Sequence, residues 1–151
     1  MVVTELEIRP ARDDDAPAIS ELLGELGYPT AADEAARRLG KLRSSDYVVL
    51  VGVRDGRVAG LVSLHSVSGL HSSSPACYVM ALVTHSTMHG QGIGKALLGE
   101  AEKWARERGC DRVTLTSATH RTAAHAFYER HGFPETGRRF AKQLDPGTGG
   151  S

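Results

Sequence analysis

The segment YVMALVTHSTMHGQGIGKALLGEAEKWARERG, residues 78–109, changes from a strand pattern to a helix pattern within a few residues. Val79 to Val83 is a continuous apolar run of strand length. From Ile93 onward the apolar residues recur at steps of three and four, which predicts an amphipathic helix. The predicted buried stripe of this helix comprises Ile93, Leu97, Leu98, Ala101, Trp104 and Ala105.

Between this strand and this helix lies a glycine-rich turn, His89-Gly90-Gln91-Gly92-Ile93-Gly94. Glycines at alternate positions let the main chain bend tightly and leave its N–H groups uncovered by side chains. A helix that begins at such a turn adds the positive end of its dipole. The turn therefore predicts a phosphate-binding site, while a glycine before a helix also serves ordinary chain reversal.

Two common nucleotide motifs do not fit the turn. A Walker loop requires Lys followed by Ser or Thr, whereas Lys95 is followed by Ala96. The dinucleotide fingerprint G-x-G-x-x-G would place its third glycine at Lys95 or Leu97. The turn therefore matches neither motif.

Composition predicts one globular core, and the balanced net charge gives no reason to expect binding to nucleic acid or an anionic membrane. The chain has 151 residues and is 40% hydrophobic, which suits one domain rather than two. It carries 18 basic and 18 acidic residues, so we expect no nucleic-acid or membrane partner. It has two cysteines, Cys77 and Cys110, and no signal peptide or long apolar span. We therefore expect a reducing, cytoplasmic location.

The remaining pattern predicts strands and helices in the order β-α-α-β-β-β-α-β-α-β. The first strand is expected at Glu5–Arg9, and an acidic start at Asp13-Asp14-Asp15 precedes the first helix. Asp55-Gly56 predicts a hairpin. The other expected elements are a helix from about Ala31, strands at Tyr47–Val53, Val58–Ser66 and Arg112–Thr116, a helix at Thr122–His131, and a last strand from Phe133 to about Lys142.

A second motif lies downstream, Ala124-His125-Ala126-Phe127-Tyr128-Glu129-Arg130-His131-Gly132-Phe133. Together with the glycine turn it resembles the GNAT superfamily of N-acetyltransferases. The signature of that superfamily joins Arg/Gln-x-x-Gly-x-Gly/Ala to a later A-x-x-F-Y-x-x-x-G-F. The resemblance covers nearly the whole chain and is to enzymes that acetylate small-molecule amines, including the aminoalkylphosphonate type.

The resemblance implies an α/β (α+β) GNAT fold. This fold has a central mixed, mostly antiparallel sheet of six to seven strands with about four helices, splayed at the fourth and fifth strands. Residues 1–144 would form a single domain and residues 145–151 a flexible C-terminal tail.

The resemblance also implies that acetyl-CoA is the cosubstrate. Main-chain groups of the fourth strand would pair with its pantetheine arm, and the N–H groups of the glycine turn would hold its diphosphate. No metal ion is expected. The predicted cofactor-binding residues are Leu82, Val83, His89, Gly90, Gln91, Gly92, Ile93, Gly94, Lys95, Arg121 and Tyr128.

In enzymes of this superfamily a tyrosine at the Tyr128 position commonly protonates the departing CoA thiolate. A free phenol has a pKa of about 10, so it is protonated at neutral pH. The oxyanion formed during transfer needs a donor, for which the Leu82 N–H is the candidate. For the neighbouring Phe127 an ordinary core role is the better interpretation.

Two positions depart from the superfamily pattern. His89 stands where Arg or Gln is usual, and its imidazole is shorter and often uncharged. Arg121 stands where Asn is frequent, and it could reach the cofactor or simply begin a helix. Neither departure removes the main-chain N–H groups.

No carboxylate lies on the strand of the central motif to act as general base. The candidates are His65 and His71, with Tyr78 as part of a water chain. An isolated histidine is more often structural. A metal site at His65 with His71, or at His120 with His125, lacks a supporting ligand set.

The acceptor amine is open at this point. The parts that vary among GNAT enzymes correspond to Ser20–Asp33, His65–Pro75 and the chain after Phe133. Arg and His would suit an anionic amine, whereas an aminoglycoside would need carboxylates, which Glu21, Glu25, Asp33 and Glu34 could supply. The alternatives are a peptide or protein N-acetyltransferase and a non-catalytic acyl-CoA-binding module. The superfamily often dimerises, which leaves a homodimer open.

Overall fold

The computed structural model describes residues 5–117 and 121–146. The chain divides into two compact units, Met1–Leu115 and Thr116–Ser151. The first unit contains β1 (Glu7–Pro10), α1 (Ala16–Leu26), α2 (Ala32–Lys41), β2 (Tyr47–Arg54), β3 (Arg57–Val67), β4 (Ala76–Thr84), α3 (Ile93–Glu107) and β5 (Val113–Leu115). The second unit contains α4 (Thr122–Arg130).

The sheet is mixed and mostly antiparallel, as expected. Its strands lie in the order β1-β2-β3-β4-β5, and β4 pairs with β5 in parallel while the other pairs are antiparallel. The Asp55-Gly56 hairpin is confirmed between β2 and β3. Both of its residues have positive φ, 54° and 72°, which matches the right-handed twist of the flanking strands.

Among the described residues the sheet has five strands rather than the expected six to seven, and the predicted last strand is wrong. Residues 133–146 contain no strand. Phe140 is 90% exposed and Leu144 is 82% exposed. Phe140 and Leu144 therefore gain little from burial, and Pro134 and Gly137 further weaken strand pairing.

Helices α1 and α2 pack on one face of the sheet, and their contact with β2 and β3 forms a buried cluster. Its members are Ile19, Leu22, Ala35, Leu39, Val51 and Leu61. Leu42, which caps the C-terminal end of α2, is 36% exposed. Helix α3 packs on the opposite face, and every residue of its predicted apolar stripe is buried.

Gly60 brings the start of α3 close to the end of β4. A Cβ atom at Gly60 would lie 2.8 Å from the Val83 carbonyl oxygen and 3.2 Å from side-chain carbons of Ile93 and Leu97. Only a residue without a side chain allows this approach. The packing therefore fixes the position of the glycine turn beside the last residues of β4.

Within residues 5–117 and 121–146, no helix is long and apolar enough to cross a membrane. Residues 147–151 of the predicted tail lie outside the described residues. The expectation of one domain over residues 1–144 stays a prediction.

Candidate active site

Within residues 5–115, no strand pairs with one edge of β4 over its second half. Parallel pairing with β5 joins Cys77 to Val113, Tyr78 to Thr114 and Val79 to Leu115. Within residues 5–115, β4 continues from Met80 to Thr84 with no strand on that side. This part of β4 therefore offers main-chain groups to a ligand.

A β-bulge at Met80 sets which main-chain groups face the open edge. Ser63 pairs with Ala81 and Leu64 pairs with Val79, so Met80 is the extra residue on β4. Beyond the strand, the His85 N–H donates to the Ala59 carbonyl of β3 at 2.7 Å.

Antiparallel pairs alternate between bonded and non-bonded, so counting back from His85 directs the main-chain groups of Val83 toward β3. The same alternation directs the Leu82 N–H and carbonyl toward the open edge. Of the two residues predicted to bind pantetheine, Leu82 therefore has the suitable orientation.

The glycine turn has the geometry of an anion site. Gly90 and Gly92 have φ of 80° and 77°, and Gly92 caps α3 without a side-chain hydrogen bond. A Cβ atom at either glycine would meet no atom within 4 Å, so the space above the turn is open.

The first helical hydrogen bond of α3 runs from the Ala96 N–H to the Gly92 carbonyl at 3.0 Å. Within residues 5–115, the N–H groups from Gln91 to Lys95 have no acceptor. Unpaired N–H groups at a helix start bind phosphate well, so these residues fit the diphosphate of CoA.

The His89 side chain folds back onto β4. Its Nε2 lies 3.0 Å from the Thr84 carbonyl oxygen, to which it must donate because a carbonyl only accepts. A neutral imidazole has a single N–H, so its donor is already used. The His89 ring therefore offers the diphosphate little, while its main-chain N–H stays a predicted contact.

Sequence reasoning missed Arg54 near this turn. Arg54 is the last residue of β2, and its Nη1 donates to the Gln91 Oε1 at 2.9 Å. Its Nε is buried and has no hydrogen-bond partner. Nothing in the local sequence signals this contact because it joins two residues distant in the chain.

Sequence reasoning also missed two links from α1 to the chain after β4. Glu21 Oε1 lies 2.8 Å from His85 Nε2, and Glu25 Oε1 accepts from the Ser86 N–H at 3.1 Å. His85 Nδ1 accepts from the Thr87 N–H at 3.2 Å, so the imidazole proton is assigned to Nε2. Hydrogen bonds from Ser86 lower the pKa of Glu25.

The carboxylates considered for an aminoglycoside are therefore occupied by partners in the protein. Glu34 forms ion pairs with Arg37 and Arg38. Asp33 Oδ1 accepts from the Glu34 N–H at 2.9 Å. Together with the contacts of Glu21 and Glu25, these pairs give each of the four carboxylates at least one partner within the protein.

Two of the candidate base residues are brought together. His65 lies opposite Tyr78 in the β3–β4 pair, and its ring lies 5.2 Å from the Tyr47 ring. His65 shares a face of β3 with Leu61, since side chains alternate along a strand. Tyr78 is 38% exposed, and both residues lie close to the bulge.

His71 does not lie on the sheet with His65 and Tyr78. It lies in the loop between β3 and β4, it is exposed, and its ring packs against Gly69. The described residues contain no group of three or more metal-ligating side chains. His120, part of the rejected metal pairing, lies outside the described residues.

Tyr128 and Arg121 belong to the second unit. Tyr128 is half-buried on α4, and its ring lies 5.7 Å from the Phe127 ring and 6.4 Å from the Phe133 ring. Burial raises the pKa of Tyr128, and the nearby Arg121 charge partly opposes this. The phenol is therefore protonated at neutral pH, as a general acid requires.

Comparison with known proteins identifies the family of the chain. The model of the acetyltransferase (GNAT) family matches residues 13–133. The chain belongs to the GNAT acetyltransferase family.

Two relatives of this chain are acetyltransferases whose names include a small-molecule class. The aminoalkylphosphonate N-acetyltransferase of Salmonella typhimurium is 35% identical, over 95% of this chain and 94% of its own. An aminoglycoside N(6')-acetyltransferase of Stenotrophomonas maltophilia is 29% identical, over 97% of this chain and 99% of its own.

A solved aminoglycoside N-acetyltransferase in complex with CoA has a TM-score of 0.83 at 16% identity, over 94% of this chain and 96% of its own. This likeness concerns the fold. As a GNAT family member, the protein is an N-acetyltransferase that uses acetyl-CoA.

Proposed function

We propose that the protein transfers acetyl from acetyl-CoA directly to the primary amine of a small molecule. One observation carries the proposal: the open edge of β4 leads straight into a turn whose N–H groups lack acceptors. The edge suits the amide groups of pantetheine, and the turn suits the diphosphate. This arrangement would present the thioester beside the bulge at Met80.

The Leu82 N–H is the proposed oxyanion donor. It faces the open edge by the alternation of β4 and has no partner there within residues 5–115. A fixed donor aimed at developing charge contributes about 3 kcal/mol to transition-state stabilisation. The Leu82 side chain is not needed for this role.

Tyr128 is the proposed acid for the thiolate. A thiol has a pKa of about 8.5, and protonation makes it a better leaving group. The raised pKa of the Tyr128 phenol keeps its proton available at neutral pH. Arg121 is proposed to contact the cofactor beside it.

His65 is the proposed base, with Tyr78 as its neighbour in a proton path. An alkylammonium has a pKa of about 10.4, so the acceptor must lose a proton before or during attack. His65 lies opposite Tyr78 near the end of the β4–β5 pairing. His71, the second candidate, lacks such a neighbour on the sheet.

Direct transfer is favoured over an acyl-enzyme on Cys77. Cys77 is fully buried, and burial raises the pKa of its thiol to about 11. A thiol must ionise to act as a nucleophile, which this site opposes. The acetyl group would therefore pass to the amine in a ternary complex.

An anionic small amine, such as an aminoalkylphosphonate, is the proposed acceptor class. The relative of that name covers nearly the whole chain. The four carboxylates that could attract a polycation already contact His85, Ser86, Arg38 and the Glu34 N–H. Both observations favour an aminophosphonate over an aminoglycoside.

The test is thiol release from acetyl-CoA with a panel of an aminoalkylphosphonate, an aminoglycoside, a polyamine and a peptide with a free N-terminus. We expect turnover with the aminophosphonate above the other acceptors. Turnover on the peptide alone would identify a peptide acetyltransferase. CoA binding without turnover on any amine would instead identify a binding module.

A further inference from the structure

Arg54 is the charged side chain that reaches the glycine turn from another strand. Its Nη1 donates to the Gln91 Oε1 at 2.9 Å, and Gln91 lies between Gly90 and Gly92. The guanidinium therefore contacts the side chain of a residue whose main chain belongs to the turn. This contact joins the β2–β3 hairpin to the glycine turn.

The guanidinium of Arg54 is incompletely satisfied. Its Nε is buried without a hydrogen-bond partner, and the Gln91 oxygen is a neutral acceptor. Within residues 5–115, no carboxylate forms an ion pair with Arg54. Buried donors are paired in most native structures, so this guanidinium keeps donor capacity for a further acceptor.

The other basic side chains of the turn are less suited to this role. The Nε2–H of His89 donates to the Thr84 carbonyl oxygen. Lys95 is exposed on the first turn of α3. Arg54 is held in place by Gln91, so it loses little freedom when an anion arrives, and its planar fork matches phosphate oxygens.

We propose that Arg54 binds a phosphate group of acetyl-CoA, next to the main-chain N–H groups of the glycine turn. This inference rests on the proposed function and extends it to a residue outside the GNAT motifs quoted above. The phosphate is either the diphosphate or the 3'-phosphate of CoA. Arg54 contacts the cofactor far from the transferred acetyl, so it contributes to cofactor affinity and not to the chemical step.

The experiment measures equilibrium binding and steady-state kinetics for Arg54→Gln and Arg57→Gln. Arg57 lies opposite Arg54 in the hairpin and is exposed, so its variant removes the same charge without touching Gln91. We expect Arg54→Gln to weaken CoA binding about tenfold and to raise KM with kcat nearly unchanged. Arg57→Gln should stay within about twofold.

A ligand without phosphate makes the test specific. S-acetylpantetheine lacks both phosphate groups, so Arg54→Gln should leave its use as a substrate nearly unchanged. Dephospho-CoA, which lacks only the 3'-phosphate, then shows whether Arg54 binds the diphosphate or the 3'-phosphate. A loss that persists with dephospho-CoA assigns the diphosphate, and a loss that disappears assigns the 3'-phosphate.

Two results would overturn the inference. Equal CoA binding by the wild type, Arg54→Gln and Arg57→Gln would show that Arg54 binds no phosphate. An equal loss with CoA and S-acetylpantetheine, reproduced by Gln91→Ala, would show that Arg54 only holds the turn. Failure of the wild type to bind CoA would contradict the proposed function itself. Arg54→Lys keeps the positive charge, so it should lose less CoA affinity than Arg54→Gln. This difference would show that the loss in Arg54→Gln does not come from a folding defect.

Discussion

His65 lies directly opposite Tyr78 where β3 and β4 pair, beside the point at which β4 parts from β5. The two residues come from strands separated by a loop, and the register of the sheet brings them together. This pair gives the proposed acetyl transfer a candidate route for the amine proton. The following predictions test the route, the acid, the turn and the fold.

Replacing His65 tests the base. We expect His65→Gln to lower kcat/KM about 100-fold at neutral pH. His71→Gln is the comparison, since it changes the same residue type in an exposed loop. A larger loss in His71→Gln, or an unchanged kcat/KM in His65→Gln, would exclude His65 as the base.

Replacing Tyr128 tests the acid. We expect Tyr128→Phe to lower kcat by about 100-fold or more while CoA binding is retained. Because burial raises the pKa of the Tyr128 phenol, wild-type activity should persist to a higher pH than a free phenol would allow. The measurement is kcat as a function of pH for both proteins. A small effect of the variant would show that solvent protonates the thiolate.

Replacing Gly92 tests the turn. Gly92 has φ of 77°, and an L side chain in that region costs about 1–2 kcal/mol. We expect Gly92→Ala to weaken CoA binding about tenfold because the turn distorts to relieve this strain. Gly99→Ala is the control, as Gly99 lies inside α3 with no atom within 4 Å of an added Cβ. It should stabilise the fold by about 0.5–1 kcal/mol and leave binding unchanged.

Replacing Asp15 tests the anchor at the start of α1. Asp15 is 6% exposed and accepts from Arg9 at 2.8 and 3.1 Å and from the Arg12 N–H at 2.7 Å. We expect Asp15→Asn to lower the free energy of unfolding by about 2 kcal/mol at pH 7. Asp13→Asn, which breaks an exposed pair with Arg43, should cost under about 0.5 kcal/mol.

The Asp15 effect should depend on pH in a defined direction. The hydrogen bond from Arg9 lowers the pKa of Asp15 in the folded state. Its stabilisation is therefore complete above the unfolded pKa of about 3.9 and is lost as the pH falls through the lower folded value. Urea unfolding measured from pH 7 to pH 3 should show the free energies of unfolding of the wild type and Asp15→Asn converging only at the acidic end. Convergence near pH 6 would contradict this assignment.

Local patterns were sufficient to predict β4, the glycine turn and α3. The apolar run and the helical stripe each lie within one short segment, and every stripe residue is buried. The bulge at Met80 could not be predicted, because it depends on how β4 aligns with β3. The Arg54–Gln91 contact depends in the same way on tertiary packing. The predicted last strand failed because Phe140 and Leu144 stay exposed, while Pro134 and Gly137 disfavour strand pairing.

Amide hydrogen exchange with and without CoA tests the central claim most directly. In the free protein, the Leu82 amide and the amides from Gln91 to Lys95 should exchange rapidly, whereas the Val83 amide should be protected by β3. We predict that CoA slows exchange at Leu82 and across the glycine turn and leaves Val83 nearly unchanged. No CoA-dependent protection at these amides, or protection confined to another part of the chain, would contradict the account.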